Sequence, residues 1–398
     1  MAIPTLAMIP SGYKAGKLYS VLPSDGTGDF TVARASAATR VNQSGLIEQV
    51  AANVPRLDYS AGGCPVLLTE ISSTNICRFS QDFSNALWNA GATRNVTFVP
   101  SPIADPEGQT NAYRMTSNAS DNQVAIFNTI TSGLVYTNSI YVKRVSGTGN
   151  VALRDVNNGA TSFPLSSADG WKRISVTASA ASTIGRLYIN LETIGDLIDI
   201  WGGQTEEQPA ATSYIKTTST AQTRDSDLVD GAGSSATFNS LEHTFFVDLN
   251  NVFENGAFSA ISILASSGTL SDNRIMILKE NNDTEIRLQI RSAGSTVATE
   301  TLSNIDFSVR QKLAVTVKLN EVKYYRNGFN VATDSGTIPL LVNLGQLALN
   351  TGNPTDKLFA STKDIRYYNQ VLTAAETLEL MSYNSFNEMA SALQYTIK

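Results

Sequence analysis

The 398-residue sequence predicts an all-β chain: an irregular N-terminal segment, two antiparallel β-sandwiches and a short C-terminal helix. Apolar and polar residues alternate with period two at short, recurring spacing, and long stretches of 3.6-residue periodicity are hard to find. Ser, Thr, Asn and Gly fill most of the gaps between the alternating runs. Strict alternation belongs to strands with one buried face, and many short strands separated by turn residues build sandwiches.

Residues 1 to about 75 carry turn signals at Asp25-Gly26 and Gly62-Gly63 and one hairpin, Ala38 to Val41 turning through Asn42 to Gly45 into Leu46 to Val50. This segment is a poor independent domain. From 76 to 220, strands are expected around Asn95–Val99, Tyr113–Met115, Val124–Thr129, Ser139–Val145, Trp171–Thr177, Arg186–Leu191 and Leu197–Trp201, enough for one sandwich. Residues 221–236, polar and strand-poor, read as a linker.

The second sandwich spans 237–385. From Leu241 to Leu249, Leu241, His243, Phe245, Val247 and Leu249 fall on one face and Glu242, Thr244 and Asp248 on the other, with Phe246 the exception. Ile286, Leu288 and Ile290 alternate with outward Arg287, Gln289 and Arg291, and Leu313, Val315, Val317 and Leu319 alternate with Lys312, Thr316 and Lys318. A turn at Asn320-Glu321 leads to a strand ending at Asn327-Gly328, a pair suited to a type I′ hairpin because both positions take positive φ. Thr373 can cap a helix, with Glu376 three residues on as a capping box requires and Ala375, Leu378 and Met381 on one face. Phe386, Met389 and Leu393 suggest a second short helical pattern in a tail, 386–398.

Composition excludes several functions. With 29 basic against 35 acidic residues, a net charge of −6 and a pI near 5.0, the chain lacks the basic surplus that neutralises phosphates, so no nucleic-acid partner is expected. No run approaches the ~20 apolar residues of a membrane helix, so no membrane insertion is expected. Met1 to Gly12 has no leading basic residues and is interrupted by Pro4 and Pro10, unlike a signal peptide. A soluble chain made in a cytoplasm is the expectation. The two cysteines, Cys64 and Cys77, are expected as free thiols.

Two sets of motifs carry a resemblance. Lys312 to Gly328, followed by Asp364-Ile365-Arg366-Tyr367-Tyr368-Asn369-Gln370-Val371-Leu372-Thr373-Ala374-Ala375-Glu376, resembles the laminin-G, concanavalin-like jelly roll over about 235–382. Phe79 to Trp88, Ser139 to Lys143, Asp169 to Arg173, Asp199 to Gln204 and Ala211 to Ile215 resemble the carbohydrate-binding-module-like sandwiches of bacteriophage fibre and spike proteins. The run Val32 to Asn42, with Gly45 to Ile47 and Pro55 to Tyr59, is similar to the leading segment of phage structural proteins. The resemblance implies a virion protein, a tail fibre, spike or head fibre, assembled in the host bacterial cytoplasm. It implies that the N-terminal segment contacts other virion proteins, that the chain is a homo-oligomer, commonly a trimer, and that its partner is a bacterial surface polysaccharide. A purely architectural decoration or adaptor subunit and a polysaccharide depolymerase are the alternatives.

No catalytic, cofactor-binding or metal-binding residues are assigned, and the ligand-binding residues are left unknown. Trp88, Trp171 and Trp201 could stack on sugars, but each sits where a sandwich needs a large hydrophobe. His243, the single histidine, is in register with strand core residues and has no neighbouring Ser/Asp pattern for chemistry. Glu192, Asp196, Asp199, Glu206 and Glu207 do not show the E-x-D-x-x-E spacing of jelly-roll glycosidases. Asp225, Asp227 and Asp230 before Gly231 leave room for a structural calcium ion, though the spacing misses an EF-hand loop and no bidentate Glu follows. Gly26, Gly28, Gly147 and Gly149 form no phosphate cradle. Asp272, Asn273, Asn281 and Asn282 are exposed loop candidates that turns would also select.

Overall fold

Strands pair as the alternation requires in the computed structural model, which describes residues 2–90, 96–118, 123–253, 256–265, 272–339, 341, 343–353, 355–384, 388 and 391–392. The chain divides into two compact units, one from residues up to 35, 51–71 and 226 onward, the other from 36–50 and 72–225. Both are antiparallel β-sandwiches.

In the first, C-terminal unit an eight-stranded sheet runs in the order Phe329–Asp334, Glu321–Arg326, Gln311–Lys318, His243–Asn250, Ser361–Tyr368, Val66–Leu68 and Leu57–Asp58, with Leu6–Met8 also paired to Ser361–Tyr368. A five-stranded sheet has the order Ser295–Leu302, Ile286–Ser292, Arg274–Lys279, Ser259–Ala265 and Leu344–Ala348. Phe245, Val247, Leu313, Val315, Ile365 and Tyr367 from the larger sheet share one core with Ile261, Ile263, Ile275, Ile277, Leu288 and Ile290 from the smaller. The inward sets of 286–290 and 313–317 are therefore those the alternation gave. Leu319 and Leu241 fall outside the strands and are largely exposed.

Phe246, which broke the alternation, is explained by the helix Ala374–Ser382. The helix covers the outer face of the larger sheet, and Phe246 packs there with Leu380 and Met381. Its start is the expected capping box: the Thr373 side chain accepts from the Glu376 backbone N–H, and the Glu376 side chain accepts from the Thr373 N–H. Asn320, Asn327 and Gly328 all take positive φ, at 59°, 48° and 89°, as the turn chemistry demanded. The pattern Phe386, Met389 and Leu393 lies outside the described residues.

In the central unit a five-stranded sheet, Val96–Pro100, Tyr113–Ser117, Leu197–Glu206, Val135–Ser146 and Lys172–Ser179, accompanies a four-stranded one, Gln123–Thr129, Ile184–Leu191, Val151–Arg154 and Ala160–Phe163. Sequence reading missed 151–154 and 160–163, which are short and follow a Gly-rich stretch. Trp88 and Trp201 are fully buried, and Trp171 is partly buried with its Nε1 donating to the Ala104 carbonyl at 2.9 Å. The Trp88 ring leaves so little room that a Cβ on Gly203 would stand 3.0 Å from it, which is why a glycine occupies that strand position.

The boundaries differ from those expected. Residues 1–75 do not form a segment of their own: strands at 6–8 and 66–68 pair with the backbone edge of 361–368, and 57–58 extends the same sheet by pairing with 66–68. The hairpin Ala38–Val41 with Ile47–Val50 belongs instead to the central unit, where Ile47 packs with Trp201 and Tyr214. Residues 221–236 are not a free linker either. Gln222–Arg224 pairs with Ser73–Asn75 in the central unit, and Leu228–Asp230 pairs with Phe30–Ala33 in the other.

Candidate functional site

Because successive side chains of a strand point to opposite faces, the five-stranded sheet of the C-terminal unit has a second face turned away from its core. That face holds a groove of about 430 Å3. Its floor is Met276 and Leu278, which cluster with Ala260. The exposed ring of Phe258 stands at its margin, and Thr351, Gly352, Asn353 and Asp356 form a loop along it. Arg274, Arg287 and Arg291 also line it, and Arg274 and Arg291 are direct cross-strand partners.

These three guanidiniums are unequally satisfied. Arg287 pairs with Glu280 at 2.6 Å. Arg274 donates from Nη1 to the Thr351 carbonyl at 2.8 Å, and Arg291 donates from Nη2 to the Gly294 carbonyl. The Nε atoms of Arg274 and Arg291 are buried without a hydrogen-bond partner. Burial, then Arg291 and Arg287, lower the proton affinity of Arg274, and only Asp356 opposes them. Asp356 in turn accepts from the Thr351 hydroxyl at 3.0 Å and the Thr355 hydroxyl at 3.2 Å. The groove thus combines a flat apolar strip, an aromatic edge, neutral hydrogen-bonding groups and a cationic end.

The other face of this unit behaves differently. Asp248 and Asp364 are cross-strand neighbours on the larger sheet, the kind of carboxylate pair a glycosidase uses. Each is gripped by its own guanidinium through two bonds: Arg310 on Asp248 and Arg366 on Asp364. Burial holds the Asp364 carboxyl above its usual range, with Arg366 opposing. Lys312 beside them donates to the carbonyls of Met381 at 2.6 Å and Tyr383 at 2.5 Å, at the end of the covering helix. This cluster fastens the helix to the sheet.

The acids singled out in the sequence do not converge. Asp199 takes two bonds from Arg114, Asp196 accepts from Arg144 at 2.7 Å and the Gly149 N–H at 2.9 Å, and Glu192 accepts from Ser162. Glu206 is fully buried and accepts from Ser73, Gln204 and twice from Thr212, while Glu207 accepts from the Tyr136 hydroxyl. Asp225 and Asp227 fall in different units, and the Asp227 oxygens are taken by Arg34 and Arg56. Among the described residues no three His, Cys, Asp or Glu side chains cluster as metal ligands. Cys64 and Cys77 are free, the first exposed and the second buried with its thiol pKa pushed up by desolvation.

The loop candidates shape turns. Asn273 accepts from the Ala293 N–H at 3.1 Å, the Asp272 carbonyl from the Gly294 N–H at 3.0 Å, and Asn282 from the Thr284 N–H at 3.1 Å; Asn281 is exposed. His243 is a core residue, fully buried, stacked on Tyr367 with ring centroids 5.5 Å apart. The central unit also carries a groove of about 550 Å3, lined by Gln81, Asp82, Asn111, Tyr113 and Lys216 among others.

No protein-family model matches the sequence and no curated protein does. Among solved structures the chain is similar to the CBM40 module of the Ruminococcus gnavus IT-sialidase bound to α2,3-sialyllactose, at 17% identity over 38% of this chain and 93% of that one, with a TM-score of 0.32. It is also similar to domain 4 of AbnA, a GH43 extracellular arabinanase from Geobacillus stearothermophilus in complex with arabinotriose, at 14% identity over 43% and 82%, TM-score 0.31. A third is a heptameric SAP-like pentraxin from Limulus polyphemus, at 12% identity over 36% and 71%, TM-score 0.31.

Proposed function

We propose that the chain is a non-enzymatic adhesin, a phage fibre, spike or head-fibre subunit that displays β-sandwich modules to bacterial surface glycans. The observation that carries the binding half of this reading is the groove on the five-stranded sheet. Its exposed aromatic edge, apolar floor and surrounding hydroxyl, amide and guanidinium groups suit the two faces of a sugar ring, one apolar and one rich in hydroxyls. The acids of the C-terminal unit's larger sheet support holding over cleavage, because Asp248 and Asp364 are each neutralised by an arginine. Weak single-site contacts would gain strength from display in several copies, as a homo-oligomeric fibre provides. The virion assignment rests on the sequence resemblance alone.

The test is to present the full chain to a bacterial glycan array and to purified host capsule, measuring both retention and the release of reducing ends. Retention on defined glycans without new reducing ends is the expected result. Absence of retention on every surface would favour an architectural subunit, and reducing-end release would make the protein a depolymerase; either overturns the reading.

A further inference from the structure

We infer that the groove selects acidic saccharides, with a sugar carboxylate held at the end where Arg274 and Arg291 meet. This rests on the adhesin reading and adds the ligand's charge. Two guanidiniums directly opposite one another on neighbouring strands repel, and a sheet gains from opposite charges at such positions. Ile275 and Ile290 supply the core on the other face of the same strands.

Where two charged residues face each other across neighbouring strands at Arg114 and Asp199 and at Arg40 and Glu48, the arginine meets an acid. At Arg274 and Arg291 the hydrogen-bond partners are two backbone carbonyls, Asp356 offsets the charge of Arg274 only in part, and both Nε donors are buried without acceptors. Arg287 adds a third cation whose charge Glu280 already answers. Among the described residues Asp356 is the single carboxylate lining the groove. In a chain whose net charge is −6, an undercompensated cationic end beside an apolar floor and an exposed Phe258 is a recognition feature for an anion attached to a ring. A charge-assisted hydrogen bond is about twice as strong as a neutral one, so a carboxylate entering here gains more than a hydroxyl does.

The full chain would be titrated with three carboxylate-bearing polymers, polygalacturonate, hyaluronan and polysialate, and with each after reduction of its carboxyls to hydroxyls. The expected result is binding to at least one acidic polymer, weakened by salt, and at least tenfold weaker for its reduced form. Arg274→Gln and Arg291→Gln are each expected to lose at least tenfold in affinity for that polymer. In each variant the lost carbonyl hydrogen bond is offset by removal of the like-charge repulsion, so both are expected to melt close to the parent, and loss of binding by a variant whose melting is unchanged is not due to unfolding. Binding of reduced and acidic polymers with equal affinity, or affinity unchanged in both variants, would overturn this inference and leave the adhesin reading standing. If none of the three acidic polymers binds while a neutral array glycan does, the charge preference is wrong. If nothing is retained at all, the adhesin reading falls first.

Discussion

Replacing Asp227 with alanine is expected to lower the stability of the C-terminal unit by about 3–5 kcal/mol, the cost of leaving buried cations without their counter-charge. The Asp227 side chain is 3% exposed and lies between two guanidiniums that are themselves fully buried, Arg34 at 2.8 Å on one oxygen and Arg56 on the other. Its second oxygen also accepts the Glu70 backbone N–H at 2.9 Å, and Arg56 bonds Glu70. The cluster ties together four separated stretches of chain at residues 34, 56, 70 and 227, and so fixes the N-terminal segments onto the sandwich. Urea unfolding followed by fluorescence should show one of two transitions shifted. Arg56→Met combined with Asp227→Ala should cost less than the two single changes summed, because each removes a charge the other leaves unpaired. Strict additivity would mean that the cluster is not coupled.

Acidification is expected to remove about 3 kcal/mol of stability through His243 alone. Burial lowers the imidazole pKa from 6.5 to about 4, with the Asn239 carbonyl, 2.9 Å from Nδ1, opposing the shift. The other ring nitrogen, Nε2, is buried without a partner, so a second proton there would have no acceptor. Between about pH 6.5 and 4 the unfolded chain binds the proton and the folded chain does not. Stability from this residue is therefore complete above pH 6.5, falls as the pH drops through that window, and is fully lost below about 4. One unit of pKa difference corresponds to about 1.4 kcal/mol. In His243→Asn this component should vanish, so parent and variant unfolding free energies, measured from pH 7.5 to 4, should run parallel above about pH 6.5 and diverge below it, the parent falling more steeply. Parallel slopes throughout would show that His243 titrates normally.

Much of the fold was legible because alternation reports which face of a strand is buried. The inward sets at 286–290 and 313–317 appear as expected, as do the Asn-Gly hairpin and the Thr373–Glu376 cap, each of which depends on residues close in sequence. Phe246 was illegible for the opposite reason: the helix that covers it lies more than a hundred residues further along the chain. The fate of residues 1–75 was hidden in the same way. Two- to four-residue strands such as Leu6–Met8, Val66–Leu68 and Phe30–Ala33 carry too few residues to show a period, and their pairing partners at 361–368 and 228–230 are remote in sequence.

The groove was half visible. Arg287, Gln289 and Arg291 were placed on the outward face by alternation, and two outward arginines on one strand of a chain that is only 16% charged were the available signal. Arg274 sits on another strand, and the loop through Thr351 and Asp356 arrives from seventy-seven residues away, as the Arg274–Thr351 bond shows. The tryptophans drew attention as sugar platforms, whereas the exposed aromatic ring at the groove is Phe258.

Hydrogen–deuterium exchange on the full chain, with and without saturating polygalacturonate, tests the location of binding most directly. Slowed exchange confined to residues around 256–258, 274–294 and 351–357 is the result this account requires. Slowing centred instead on 79–82, 110–113 and 216–218, or none anywhere while the polymer is demonstrably bound, would contradict it.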